Sequence, residues 1–319
     1  MRKNNILPKG MRYYLPEESK KKRELETIIA KTLTEKSFQE IITPMFSYAN
    51  LTEGESSCDA FKFTDRTSGK IIKLRDDVTP EIAAAAASIL KKEPRPLKLQ
   101  YHTNIFRQIS SYGSTGMEIF QSGGEVIGSA HIEADIEVLS IAIEIFTKLS
   151  LPSFNFSISS VSFFRKLLQL TGLSEEENIE LKEAILRKDL SSIERVSANI
   201  TDKSLKQGVL LLPKLIGKGE IFKQLENVEA FNELAQEISR LKDVYNALCK
   251  KGYEEYILVD IAEIWGYDYY TDIIFECFIP KIGTPVCTGG RYDNLLEQYG
   301  EKEPAVGFAI NNSLLLNVL

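Results

Sequence analysis

Histidine is scarce in this chain of 319 residues, which has two, His102 and His131. That excludes a multi-histidine metal site, and a histidine-based catalytic triad would need one of this pair with no other signature around it. The four cysteines, Cys58, Cys249, Cys277 and Cys287, form no CxxC pair. A chain this long needs no disulfide framework, so a reducing compartment fits and no metal is expected. No apolar run reaches transmembrane length, so no membrane partner is expected. The start, Met1-Arg2-Lys3-Asn4-Asn5, lacks the apolar stretch of a secretory signal, and a cytoplasmic location is expected. A basic excess is missing too. With a net charge of −6, nothing supports a protein whose main task is gripping nucleic acid. Low-complexity segments and regular repeats are absent. What is there, 43% hydrophobic and 26% charged residues, is ordinary globular composition.

The pattern along the chain predicts alternating helices and strands. A Pro-punctuated arm at 7–16 precedes a helix over 17–36, with Leu25, Ile28, Ile29 and Leu33 at helical spacing. Residues 38–45 read as a strand closed by Pro44, which places it at an edge or interface. Residues 61–66 and 70–75 alternate around Thr67-Ser68-Gly69 as a hairpin. Thr79 and Pro80 then read as N-cap and first residue of an Ala-rich helix. Capping alone leaves the adjacent Asp76 and Asp77 unexplained. A strand over 97–106 ending in Arg107 is answered by a return strand over 117–127. On it Gln121, Gly123 and Glu125 share one face. A helix over 134–149 and a strand over 154–159 follow. From 161 to 251 the texture turns Leu-, Glu- and Lys-rich, with breaks at Gly172, Pro213 and Gly217-Lys218-Gly219, and reads as consecutive helices. A strand returns at 256–260, and another over 304–310 leads into a short helix capped by Asn311-Asn312-Ser313.

One stretch stands out. Trp265-Gly266-Tyr267-Asp268-Tyr269-Tyr270-Thr271 precedes an apolar strand, and Cys287-Thr288-Gly289-Gly290-Arg291-Tyr292-Asp293 follows on the return strand. Tyrosines supply flat walls with a polar tip, and Gly289-Gly290 would let backbone approach a ligand closely. Asp268 and Asp293 could take a cationic or NH-rich group. The same residues also read as a Tyr-rich strand end and a tight turn.

These two segments resemble the Arg-Gly-Leu-Asp-Tyr-Tyr-Thr and Cys-x-Gly-Gly-Arg-Tyr-Asp segments of histidyl-tRNA synthetase. Upstream, Leu74-Arg75-Asp76-Asp77-Val78-Thr79 is similar to that family's Leu-Arg-Pro-Glu-Gly-Thr. Residues 38–44, the Arg107 hairpin and residues 307–316 stand in the order of the three class II aminoacyl-tRNA synthetase motifs. The resemblance covers nearly the whole chain. It implies an α+β fold: one synthetase-like domain over 1–319, a mostly antiparallel sheet flanked by helices, with 161–251 as a helical insertion. It also implies a histidine-binding set of Asp77, Thr79, Gln121, Glu125, Tyr269 and Tyr270, with Asp77 a shorter carboxylate than the family's Glu. Pairing through the first motif's strand implies a homodimer.

The departures from the family decide the expected function. Arg107 is kept as a residual nucleotide-site position, but the acid two positions later is Ile109. The return strand near Met117 lacks its arginine, the third motif's Glu-Arg pair is Ser313-Leu314, and the arginine before Gly-Leu-Asp is Trp265. Losing one donor that stabilises developing charge costs about 2.7–4 kcal/mol of transition-state stabilisation, so losing several should abolish amino-acid activation. The chain stops just past the third motif, and no C-terminal anticodon-binding domain is expected. A synthetase-like body of this kind resembles the regulatory subunit of ATP phosphoribosyltransferase. That resemblance implies a non-catalytic protein without cofactors. It would pair with the short-form catalytic subunit in a hetero-octamer, activate it, and relay feedback by L-histidine in the first step of histidine biosynthesis. tRNA is not an expected partner. The alternative is an active histidyl-tRNA synthetase or a histidine-activating enzyme.

Overall fold

The computed structural model describes residues 7–49, 60–108, 116–151, 153–264 and 270–319. Helix α1 (Pro16–Glu35) opens on Pro16, with Glu17 and Glu18 in its first turn, where the helix dipole favours acids. The Glu18 carboxylate reaches back to accept the Leu15 backbone N–H at 3.1 Å. Leu25, Ile29 and Leu33 are buried along one stripe, as their spacing predicts.

After α1 the structure departs from the expected strand. Only β1 (Gln39–Glu40) joins the main sheet, parallel to β5 (Leu97–Phe106) and at its edge. The physical reason lies in Arg75. Its buried guanidinium donates to the carbonyls of Thr43 (2.8 Å) and Pro44 (3.2 Å), so these groups are taken by a side chain and not by a ladder. The chain then crosses to a separate three-stranded sheet in the order β2 (Phe46–Tyr48), β4 (Ile71–Leu74), β3 (Lys62–Thr64). β3 and β4 form the predicted hairpin.

The main sheet has nine strands in the order β1-β5-β6-β12-β11-β10-β7-β9-β8. Its remaining members are β6 (Glu118–Ile127), β7 (Asn155–Ser160), β8 (Ile216–Gly217), β9 (Ile257–Asp260), β10 (Ile273–Phe278), β11 (Cys287–Arg291) and β12 (Ala305–Asn311). Only the β1/β5 and β7/β9 pairs are parallel, so the sheet is mostly antiparallel, as expected. Between β7 and β9 run six α-helices, α4 (Val161–Thr171), α5 (Glu175–Leu186), α6 (Leu190–Ser197), α7 (Lys203–Leu211), α8 (Ile221–Glu226) and α9 (Ala235–Lys250). α4 ends at Gly172 with φ 68°, a left-handed conformation in which glycine has no Cβ penalty. The two-residue strand β8 in this stretch has no signal in the sequence.

The two faces of the sheet differ. One is covered by α1, by α3 (Ile132–Lys148) and by the helices after β7. Phe146, Phe156, Phe275 and Phe308 join Phe163, Leu241 and Val244 in one continuous core there. The other face packs a smaller cluster around α2 (Thr79–Ala87), whose Ile82, Ala83 and Ala86 meet Tyr101, Tyr270, Ile274 and Tyr292. Small side chains on α2 let it sit close, and the rest of that face stays open above β6, β12 and β11. No helix among the described residues is long and apolar enough to cross a membrane.

Candidate functional site

The open face carries a pocket lined by Asp77, Thr79, Arg107, Gln121, Glu125, Tyr270, Thr288, Tyr292 and Gly307, among others. Register explains the convergence. Gln121, Gly123 and Glu125 alternate onto this face of β6, and Asn311, Ala309 and Gly307 lie opposite them on β12. Five of the predicted ligand residues, Asp77, Thr79, Gln121, Glu125 and Tyr270, line this one space, together with Arg107. Tyr269, Trp265 and Asp268 lie outside the described residues, as does Ile109.

Glu125 is the centre of the pocket and is 1% exposed. Thr79 Oγ1 donates to its Oε1 at 2.8 Å, and the Tyr292 hydroxyl donates to its Oε2 at 2.5 Å. Burial pushes this carboxyl from its ordinary 4.5 up to about 8, because an ion in a dry wall is poorly solvated. The two hydroxyls oppose that shift and the nearby Asp77 adds to it. The folded state therefore holds a proton that the unfolded chain gives up between about pH 4.5 and 8. This contribution to stability is complete below pH 4.5 and is lost as pH rises through about 8. Glu125→Gln has no such proton to lose. Relative to wild type it should gain a few kcal/mol between pH 5 and pH 8.5, read as a pH-dependent gap between urea midpoints. A constant gap would disprove the raised carboxyl.

Thr79 is not the helix cap. The N-cap position belongs to Val78, and the Thr79 hydroxyl is committed to Glu125. Its backbone N–H is instead accepted by Asp77 Oδ1 at 3.0 Å. This also accounts for the aspartates that capping by Thr79 left unexplained. Asp77 closes the turn, and Asp76 meets Lys73 Nζ at 3.1 Å. Burial raises the Asp77 carboxyl, and the Arg107 guanidinium works against that rise. Arg107 is anchored by its Nε donating to the Asp76 carbonyl at 2.8 Å. The pocket thus offers two acids whose ionisation a cationic ligand would favour, beside one fixed cation.

Three contributors escaped the sequence reading as site residues. Tyr292 stands in the quoted Gly-Gly-Arg-Tyr-Asp run, two residues past Gly290, and only strand register shows that it meets Glu125. Tyr101 lies over Gly123 and its hydroxyl donates to Gln121 Oε1 at 3.2 Å, which orients that amide. Gly307 leaves the space that Glu125 occupies, since a Cβ there would stand 1.5 Å from Glu125 Oε2.

Other expectations need correction. Gly289 and Gly290 do not bring backbone up to a ligand in the pocket. A Cβ on Gly289 would strike the Phe275 ring at 2.4 Å, and one on Gly290 would stand 2.9 Å from Tyr270 Cδ1. They are glycines so that neighbouring rings can pack. Asp293 is not among the pocket's lining residues, and its Oδ1 accepts from Arg291 Nη1 and from the Ala305 N–H, both at 3.1 Å. Arg291 is 1% exposed and grips Asp135 through Nε and Nη2 at 2.7–3.1 Å. At the end of β12, Asn311 caps α10 (Asn312–Leu315) by accepting the Leu314 N–H. Ser313 Oγ accepts the Phe120 N–H at 2.9 Å, and Leu314 is buried in the core. Among the described residues no cluster of three or more His, Cys, Asp or Glu could hold a metal.

A mostly antiparallel sheet with a polar pocket over its central strands, edged by a short motif strand and closed by a strand-to-helix turn at Asn311, defines a class II aminoacyl-tRNA synthetase-like core. A family model described as histidyl-tRNA synthetase matches residues 10–315. A protein of Thermoanaerobacter pseudethanolicus described as "ATP phosphoribosyltransferase regulatory subunit" is 37% identical over 310 residues, spanning 96% of this chain and 80% of that one. One from Clostridium acetobutylicum with the same description is 32% identical over 320 residues, or 98% and 78% of the two chains. The chain belongs to the ATP phosphoribosyltransferase regulatory subunit family, within the histidyl-tRNA synthetase-like proteins. Among solved structures, an "ATP phosphoribosyltransferase regulatory subunit/histidyl-tRNA synthetase from Bacillus halodurans C" aligns with a TM-score of 0.90 at 27% identity, over 98% of this chain and 83% of that one. The histidyl-tRNA synthetase of Nostoc sp. PCC 7120 shares the fold, with a TM-score of 0.80 at 21% identity over 98% and 75% of the chains.

Proposed function

We propose that this chain is a non-catalytic regulatory subunit that makes a short-form ATP phosphoribosyltransferase catalytic subunit competent and relays feedback by L-histidine. The observation that carries the reading is the use made of positions 313 and 314. Synthetase chemistry needs preorganised charge against the phosphates of a forming adenylate. Here Ser313 is spent on the β6 backbone and Leu314 on the core, so that turn presents no charged clamp. Arg107 stays as a residual nucleotide-site position.

Recognition of histidine is supported by the pocket itself. Glu125 and Asp77 suit the ammonium and the imidazole N–H, Thr79 and Gln121 add polar partners, and Tyr270 supplies a wall. Tyr269, next to it in sequence, belongs to the same proposed set. A homodimer is supported by exposed apolar side chains in the stretch that follows edge strand β1, Ile42 and, on β2 of the smaller sheet, Phe46 and Tyr48. The hetero-octamer with the catalytic subunit, the cytoplasmic location and the reading of 161–251 as an insertion in a single domain belong to the same proposal.

The test is to mix the purified chain with a short-form catalytic subunit and assay phosphoribosyl transfer with and without histidine. Activation together with a complex by light scattering is expected, and neither appearing would sink the proposal. The synthetase description of the family model favours the second reading, an enzyme that activates histidine. Histidine-dependent pyrophosphate exchange above background would establish that reading instead.

A further inference from the structure

The face that carries the pocket continues past Thr288 into a second polar cluster. On β10, Glu276 lies opposite Thr288 of β11 and Ser157 of β7. Ile274 of β10 lies opposite Ser159, and the parallel β7/β9 register brings Asp260 to the same face. The Glu276 carboxyl is hydrogen-bonded to that of Glu263, and Lys188 Nζ lies 2.8 Å from Asp260 Oδ2. Glu276 is 4% exposed and Asp260 3%. Three carboxyl groups are thus gathered beside one lysine.

The serine hydroxyls point to a ligand. Ser157 and Ser159 are 7% and 1% exposed, and the Oγ of each is buried without a hydrogen-bond partner. Buried hydroxyls are nearly always satisfied, and an orphan costs about 1–3 kcal/mol. By strand register both stand on the face of the acid pair. One group that could serve both the orphan hydroxyls and the neighbouring acids would have to donate to carboxylates and bond to a hydroxyl. A primary ammonium meets this need, with three N–H donors and one charge. The cluster does not have the arrangement of a metal site.

We propose that Glu276, Glu263 and Ser157 form an amine subsite that takes the primary ammonium of a small ligand, separate from the Glu125 pocket. Three strand steps at about 4.8 Å separate Glu276 from Glu125, roughly 14 Å, too far for one histidine to reach both. Without the ammonium the two carboxyls share a proton, and burial together with Glu263 pushes Glu276 up to about 9. Binding releases that proton and leaves two carboxylates facing the cation.

Methylammonium chloride is the probe, with tetramethylammonium chloride, which has no N–H, at equal ionic strength as control. Methylammonium should raise the unfolding temperature of the full chain saturably in the millimolar range, and tetramethylammonium should not. Glu276→Gln keeps the shape and removes the charge, and it should weaken methylammonium by about tenfold or more. Histidine affinity, read by calorimetry, should be unchanged in that variant. Ser157→Ala serves as the second variant if Glu276→Gln does not fold, and it too should weaken binding. Equal effects of the two salts, or wild-type methylammonium affinity in the variants that fold, would overturn the proposal. Those results would leave the histidine reading of Glu125 untouched.

Discussion

Replacing Arg291 with alanine is expected to lower folding stability by about 3–5 kcal/mol, read as a fall in the urea midpoint followed by circular dichroism. Arg291 joins elements far apart in sequence. It projects from the end of β11 and meets Asp135 in the first turn of α3, with Nη1 also donating to the Ser129 carbonyl at 3.0 Å. Asp135 is shared with Arg240 of α9 at 3.1 Å, and Arg240 in turn pairs with Asp272 just before β10. The network ties β11, α3 and α9 together. Truncating Arg291 leaves the Asp135 carboxylate buried with one partner fewer, and that uncompensated charge is where the cost arises. The double variant Arg291→Met with Asp135→Leu should cost less than Arg291→Ala alone, because it removes the buried charge as well as its partner. If the single variant lost under about 1 kcal/mol, the network would be an incidental surface-like pairing.

Gly307→Ala is expected to abolish ligand binding while leaving a folded protein. The added Cβ would stand 1.5 Å from Glu125 Oε2 and 2.8 Å from the Gly124 carbonyl. The carboxylate would have to swing away, breaking its bonds from Thr79 and Tyr292. The carbonyl belongs to a strand and yields little. Overpacking of this kind costs about 1–3 kcal/mol of stability. Losing a buried, hydrogen-bonded acid from a binding site costs about 2–5 kcal/mol of affinity, so histidine should fall below detection by calorimetry. Gly283→Ala is the control. Nothing lies within 4 Å of its Cβ position, so stability and binding should both match wild type. Unchanged histidine affinity in Gly307→Ala would move the effector site away from Glu125.

Much of this site was legible because the signal was local. Period-two alternation puts Gln121 and Glu125 on one face of β6 whatever strand pairs with it. Pro80 and the alanines announced α2, and Asn311 announced α10. Where the reading failed, a long-range contact outweighed a local preference. Thr79 is a good cap by propensity, but the Glu125 carboxylate, 46 residues away, takes its hydroxyl. The expected strand through 38–45 shrank to two residues because Arg75, 32 positions past Thr43, takes the Thr43 carbonyl. Gly289 and Gly290 offer room for a ligand by sequence, and the room goes to Phe275 and Tyr270.

The amino-acid sequence by itself determined the order of most elements, the face that β6 presents and, through two specific motifs, the family. Those are properties of neighbours along the chain and of residue types that cannot be exchanged. Only the tertiary structure decided which polar groups are spent on folding and which remain for a ligand. Arg291 and Asp293 belong to the same motif as Tyr292, yet the two charged residues bind each other while the tyrosine reaches Glu125. Strand register and burial make that division, because a carboxylate in the dry interior must find its partners wherever the sheet brings them.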